Sequence, residues 1–159
     1  MNNKSIVITG ASDGIGKALA WVMASRGYDL GLTARRIGLL ESLKSEIEQK
    51  YPSIKVAVMA MDVNDYEQQS AILESLHQQL GKIDILLVNA GIAIAGKTGV
   101  MPLTDQLAVI NTNLNGAIAT IDAGLKIFRQ QGFGHLVGTS SVAGFRGLAR
   151  NAAYSASKS

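Results

Sequence analysis

The sequence predicts an α/β fold built on a doubly wound parallel sheet, and three observations carry that prediction. Short apolar runs alternate with segments of helical period from the first residues onward. The runs are apolar throughout and not at every second residue, as expected of strands buried on both faces. The first run passes through a glycine-rich turn directly into the first helical segment, which is where such sheets hold ligands.

In order along the chain, residues 5–9 read as a buried strand and 15–26 as the helix that the glycine turn opens. A second strand over 28–33 leads to an amphipathic helix over 37–50. Pro52 ends that helix, because proline has no N–H and restricts the residue before it. A third strand is expected over 55–61, a polar helix over 65–80 and a fourth strand over 83–88. Residues 95–102 form the loose stretch, at a position where these folds carry ligand loops. A long helix is expected over 104–130, a fifth strand over 135–139, and a last helix beginning near Ala152. With no linker, repeat or low-complexity segment, residues 1–159 are expected to be a single domain, long enough to bury a real core.

Composition excludes several function classes. The chain is 47% hydrophobic and 17% charged, with no cysteine, so a disulfide framework, a zinc ribbon and a thiol nucleophile are ruled out. His77 and His135 are the two histidines, and no metal site is expected. The weakly polar stretch 83–96 contains Asp84 and Asn89 and is too short and too polar to span a bilayer. Met1-Asn2-Asn3-Lys4 runs into the first strand without the apolar region of a signal peptide, which predicts a cytoplasmic protein with no membrane partner. The net charge is +3, but the basic residues are scattered and form no stripe. A small anionic ligand is therefore expected and nucleic acid is not.

The first turn reads Thr9-Gly10-Ala11-Ser12-Asp13-Gly14-Ile15-Gly16. Placed between a strand and a helix, it has the context of a dinucleotide phosphate loop. Gly10 permits the sharp turn, Gly14 lets backbone approach a pyrophosphate, and Gly16 lets the helix sit close to the sheet. Ser12, Asp13 and Ile15 complete the candidate loop. The helix N-terminus offers free N–H groups and a positive dipole end. Sites for NAD place a carboxylate at the end of the second strand to hold the ribose 2′-hydroxyl. This chain has Arg35 and Arg36 there, whose guanidinium groups suit a 2′-phosphate. NADP(H) is the expected cofactor, ahead of NAD. Asp62, beside Val63 after the third strand, reads either as an acceptor for the adenine amino group or as a turn residue ahead of Asn64-Asp65.

Tyr-x-x-x-Lys occurs twice, at Tyr51/Lys55 and Tyr154/Lys158. Pro52 lies inside the first copy, so its side chains do not stack on one helix. The second copy is helix-compatible, and a spacing of four places Tyr154 and Lys158 on one face. A phenol with a pKa near 10 transfers protons poorly at neutral pH. An ammonium roughly 5 Å away, at an effective dielectric of about 20, stabilises the phenolate by roughly 3 kcal/mol. That is about two pKa units, which brings the tyrosine towards working range.

With these motifs together, the chain resembles the short-chain dehydrogenase/reductase family over essentially all its length. The likeness runs through Thr9 to Gly16, Asp62, Asn89-Ala90-Gly91, Asn113 in Asn-Leu-Asn-Gly, and Ser141, thirteen residues before Tyr154. The resemblance implies a Rossmann-type sheet and a carbonyl reductase or alcohol dehydrogenase working by hydride transfer on a small substrate. In that reading Tyr154 protonates the carbonyl oxygen, while Lys158 lowers its pKa and holds the nicotinamide ribose. Ser141 bonds the substrate oxygen, and Asn113 anchors a proton-relaying water. Asn89 braces the fourth-strand loop, with Ala90 and Gly91 against the cofactor. The plainer role for Asn113 is to bond its own helix backbone. A homo-oligomer, dimer or tetramer, is implied by the same analogy.

Two other classes compete. A redox-sensing module would keep the dinucleotide site and discard the chemistry; retention of Ser141, Tyr154 and Lys158 argues against it. A serine hydrolase using Ser140 or Ser141 would want a histidine downstream and a second elbow glycine after Gly138, and neither is there. Members of the resembled family continue well past the Tyr-x-x-x-Lys motif, whereas this sequence stops one residue after Lys158. The expectation is a portion of a longer protein, its sheet incomplete on the C-terminal side and its substrate lid missing. A helix that begins near Ala152 and ends there is expected to fray and to hold Lys158 loosely.

Overall fold

In the computed structural model, which describes residues 3–159, the apolar runs lie side by side in one parallel sheet. Met1 and Asn2, on which the reading of the N-terminus partly rests, lie outside the described residues. The strands are β1 (Ser5–Thr9), β2 (Asp29–Ala34), β3 (Val56–Ala60), β4 (Ile85–Val88) and β5 (His135–Gly138). Their order across the sheet is β3-β2-β1-β4-β5, and each neighbouring pair is parallel.

Alternation along β1 explains why its sequence is apolar at every position. Ile6 and Ile8 enter one core, against Ala20 and Ala24 of α1 (Gly14–Ser25) and Leu40, Leu43 and Ile47 of α2 (Ile37–Lys50). Val7 enters the opposite core, with Leu73, Leu76 and Leu80 of α3 (Tyr66–Leu80) and Ala123, Ile127 and Phe128 of α5 (Gly116–Gln131). Both faces of the sheet are thus covered, and no residue of β1 or β2 is left exposed.

The long helix expected over 104–130 is present as an unbroken helical run over 103–131, made of α4 (Leu103–Ile110), a π-helical turn over Asn111–Asn115 that the sequence did not suggest, and α5. Asn113 is buried in that turn, and its side chain leaves the helix to bond the backbone of Ile92. A short helix that the sequence did not suggest, α6 (Val142–Phe145), follows β5; the Ser141 hydroxyl caps it by accepting from the Ala143 N–H. The last helix, α7, covers Ala152–Lys158.

Gln69 is fully buried at the head of the apolar face of α3. Its Nε2 donates to the Val63 carbonyl at 2.7 Å, and its Oε1 accepts from the Thr120 hydroxyl at 2.6 Å. The network ties α3 to α5 and fixes the segment after β3. Gln69→Leu would orphan the Val63 carbonyl, and we expect a loss of about 1–3 kcal/mol in stability. Urea unfolding should show a lower midpoint at unchanged slope; an unchanged midpoint would remove the network from the list of stabilising contacts.

Candidate functional site

From β1 the chain winds outward through β2 and β3, then crosses back to pair β4 with β1. The winding reverses between β1 and β4, and the loops that leave the carboxyl ends of the two strands diverge there. That divergence opens the crevice in which sheets of this kind bind ligands. A cleft of about 510 Å³ lies there. Gly10, Ser12, Asp13, Gly14, Ile15, Arg35, Arg36, Asp62, Val63, Asn89, Ala90, Gly91, Tyr154 and Lys158 all line it. Gly16, Asn113 and Ser141 stand behind or beside it and are not among its lining residues.

The phosphate loop owes its shape to two close approaches. At Gly10, with φ +70°, a Cβ would come within 2.8 Å of the Ala90 backbone. At Gly16 it would meet the Gly10 carbonyl at 2.5 Å and the Asn89 side chain at 2.8 Å. Gly16 therefore lets the helix sit close to Gly10 and Asn89, the residues that directly follow β1 and β4 at the carboxyl end of the sheet. Asp13 caps α1 by accepting from the Gly14 N–H at 2.7 Å. This bond, with the Arg36 guanidinium next in importance, holds the Asp13 carboxyl below its ordinary range.

Thr9 is the hub of the neighbouring wall, and the sequence reading missed it. Its hydroxyl oxygen accepts from the N–H groups of Asn89 and Ala90 at 3.0 and 3.1 Å. Asn89 Nδ2 donates to the Thr9 carbonyl, and Asn89 Oδ1 accepts from the Thr139 hydroxyl. One asparagine thus joins the carboxyl ends of β1, β4 and β5. Asp62 Oδ1 accepts from the backbone and side-chain N–H groups of Asn64, so it does shape the turn, while the residue also lines the cleft.

At the other end of the cleft, α7 is anchored by packing, which corrects the expectation of fraying. Asn113 accepts from the Ile92 N–H at 2.8 Å and donates to the Ile92 carbonyl at 2.9 Å and to the Ser157 hydroxyl at 3.0 Å. Both of its donor hydrogens are engaged, and its bonds go to a neighbouring segment, not to its own helix. Ser155 and Ser157 are buried. Gly144 of α6 lies so close to the Lys158 carbonyl that a side chain would not fit between them. Lys158 Nζ donates to the Thr139 carbonyl at 2.8 Å. The other Tyr-x-x-x-Lys copy is elsewhere: Tyr51 packs edge-on against Trp21, ring centroids 6.4 Å apart.

These features fit a dinucleotide. Gly14 holds φ +53° with open space where a Cβ would stand, so ligand can approach its backbone. The first amides of α1 lack intrahelical partners, and two guanidinium groups flank the far wall. Among the described residues, no cluster of ligating side chains could hold a metal ion, and no helix is long and apolar enough to cross a membrane.

A family model described as short chain dehydrogenase matches residues 4–159. An uncharacterized oxidoreductase of Mycobacterium tuberculosis is 44% identical, over 99% of this chain and 63% of that protein. An NADP-dependent 3-hydroxy acid dehydrogenase of Schizosaccharomyces pombe is 34% identical, over 100% of this chain and 62% of that protein. Among solved structures, an alcohol dehydrogenase from the archaeon Thermococcus sibiricus, complexed with 5-hydroxy-NADP, superposes with a TM-score of 0.91 at 30% identity, covering 98% and 65% of the two chains. An NAD+-bound xylitol dehydrogenase superposes with a TM-score of 0.92 at 30% identity, covering 99% and 60%. The chain spans about 63% of the length of the first relatives it matches.

Proposed function

The chain belongs to the short chain dehydrogenase family, and on that premise we propose that it carries the cofactor site and proton-transfer groups of an NADP(H)-dependent oxidoreductase interconverting a carbonyl and an alcohol. The observation that carries the reading is the shared cleft: Tyr154 and Lys158, one turn apart on α7, line the same cavity as the phosphate loop. A nicotinamide cofactor held in this cleft would supply the hydride, or accept it in the reverse direction. Tyr154 gives the proton to the carbonyl oxygen, with Lys158 one turn further along the same helix. Ser141 stands at the head of α6 as the hydroxyl that bonds the substrate oxygen. Asn113 acts through structure, holding α7 against Ile92 with a side chain whose donors are already engaged.

On this proposal residues 1–159 are one dinucleotide-binding domain, and the substrate cover lies in the part of the relatives' length that the chain does not span. A homo-oligomer is part of the reading, supported by the exposed Leu103, Leu107, Leu114 and Ile118 along the central helix. A small carbonyl or alcohol is the substrate class. NADPH oxidation across a panel of ketones, aldehydes and oxo acids tests the reaction; a panel with no turnover would refute it.

Cofactor preference is read from the arginines. Arg35 and Arg36 both line the cleft, where they would meet a 2′-phosphate, and Arg36 also reaches Ser12 and Asp13. Titration by nicotinamide fluorescence should show NADPH binding more tightly than NADH. Arg35→Ala removes charge-assisted bonds worth roughly 1.5–3 kcal/mol, so the preference should narrow by about tenfold or more. Equal affinities for the two cofactors in the unmodified protein would refute this preference.

A further inference from the structure

The phosphate loop contains an acidic residue in a place that a doubly charged ligand group must approach. Asp13 is exposed and lines the cleft, with the Arg36 guanidinium beside it. Arg36 Nη2 lies 3.4 Å from Asp13 Oδ2 and 3.2 Å from the Ser12 hydroxyl. The guanidinium that the sequence offers to a 2′-phosphate is thus bridging to a carboxylate of the chain itself. We propose that Asp13 is a specificity-determining residue of the cofactor site, its carboxylate competing with the ligand's 2′-phosphate for Arg36. The inference rests on the NADP(H) reading above.

The physical argument separates the two oxygens of Asp13. Oδ1 caps α1 through the Gly14 N–H, a role that asparagine fills equally well. Oδ2 carries the interaction with Arg36, which depends on charge. A 2′-phosphate bears close to two negative charges at neutral pH. To bond Arg36 it must either displace Oδ2 or share the guanidinium with it at close range, and both cost affinity. The 2′-hydroxyl of NAD(H) carries no charge and meets no such competitor. The pyrophosphate is common to both cofactors, so any repulsion between it and Asp13 cancels in the ratio of their affinities. Asp13 therefore lowers the NADPH preference below what the arginines alone would set. With side-chain exposures of 58% and 77%, the pair is solvated. Exposed pairs contribute less than one factor of ten, so the expected change is about threefold to fivefold.

The experiment measures dissociation constants of NADPH and NADH by fluorescence for the unmodified chain, Asp13→Asn, Arg36→Ala and the double variant. In Asp13→Asn the ratio of the NADH to the NADPH constant should rise about threefold to fivefold, and the same change made in the Arg36→Ala background should raise it less. A ratio that stays unchanged in Asp13→Asn would overturn the proposal. A ratio that falls would also overturn it, and would mean that Asp13 presents Arg36 to the phosphate instead of withholding it. A gain that persists in full without Arg36 would overturn the competition in favour of direct repulsion. The unmodified chain is the separate control: if it prefers NADH the cofactor reading fails, whereas a failed Asp13 effect in a chain that prefers NADPH fails this inference alone.

Discussion

Tyr154→Phe is expected to lower turnover at least about a hundredfold, the lower end of what a general acid contributes, while dinucleotide affinity stays within about twofold. The substitution removes one oxygen from a half-buried ring and leaves the helix that carries it intact. α7 is held by groups other than the phenol: the Ser157 hydroxyl under Asn113, the Leu148 N–H on the Ser155 hydroxyl, and the Lys158 ammonium on the Thr139 carbonyl. A loss of rate therefore reports the proton and not a fold defect. Tyr51→Phe is the matched control, because that ring packs on Trp21 and lies outside the cleft. Steady-state kinetics beside fluorescence titration provides both readouts. Turnover of Tyr154→Phe close to that of the parent would remove the tyrosine from the chemistry.

Asn113→Leu should have the largest effect on stability. It leaves the Ile92 N–H without its acceptor and the Ile92 carbonyl without its donor, and it releases the Ser157 hydroxyl. Each buried group left unsatisfied costs about 1–3 kcal/mol, so a total of about 2–5 kcal/mol is expected. For a domain of this size that corresponds to roughly 5–20 °C in melting temperature. Turnover should fall further than cofactor affinity, because the bonds lost tie the turn at Asn113 to Ile92 and to α7, the helix that carries Tyr154 and Lys158. Melting within about a degree of the parent would show that the clamp contributes little.

Much of this was legible in the sequence because some signals are local and unopposed. The strand Ser5–Thr9 and the helix Ile37–Lys50 have the bounds expected of them, one from an unbroken apolar run and the other from its period and the proline that follows. The parallel sheet followed from the same runs, since only strands covered on both sides need apolar residues at every position. The π-turn was not legible, because one widened turn does not break the apolar pattern of the segment around it. The cause is a side chain bonding a loop nineteen residues earlier in the chain than the turn begins (Ile92 to Asn111), which no local pattern records. α6 is a single turn of Val-Ala-Gly-Phe, too short for a period; a serine just ahead of it was the one available clue. Gln69 left a signal that went unread: it heads the apolar stripe continued by Ile72, Leu73, Leu76 and Leu80, and a polar residue on such a stripe implies a buried partner. Thr9 looks in the sequence like the plain end of a strand, although Asn89 and Ala90 converge on it.

The widened turn at Asn111–Asn115 also determines which changes this stretch can accommodate. A regular α-helix advances about 100° and 1.5 Å per residue. A π turn holds about one residue more than a regular turn over nearly the same advance, so deleting one residue here would restore regular winding and leave the rest of α5 close to its place. Val109 before the turn and Thr120, Ala123 and Ile127 after it are all buried, and both halves would keep their seats. The change would fall instead on Asn113, which reaches Ile92 from the widened backbone. Deleting one residue from the regular part of α5 would rotate everything after it by about 100° and carry buried side chains off the sheet. The surplus residue therefore serves the reach of one side chain, and the seating of the helix does not depend on it.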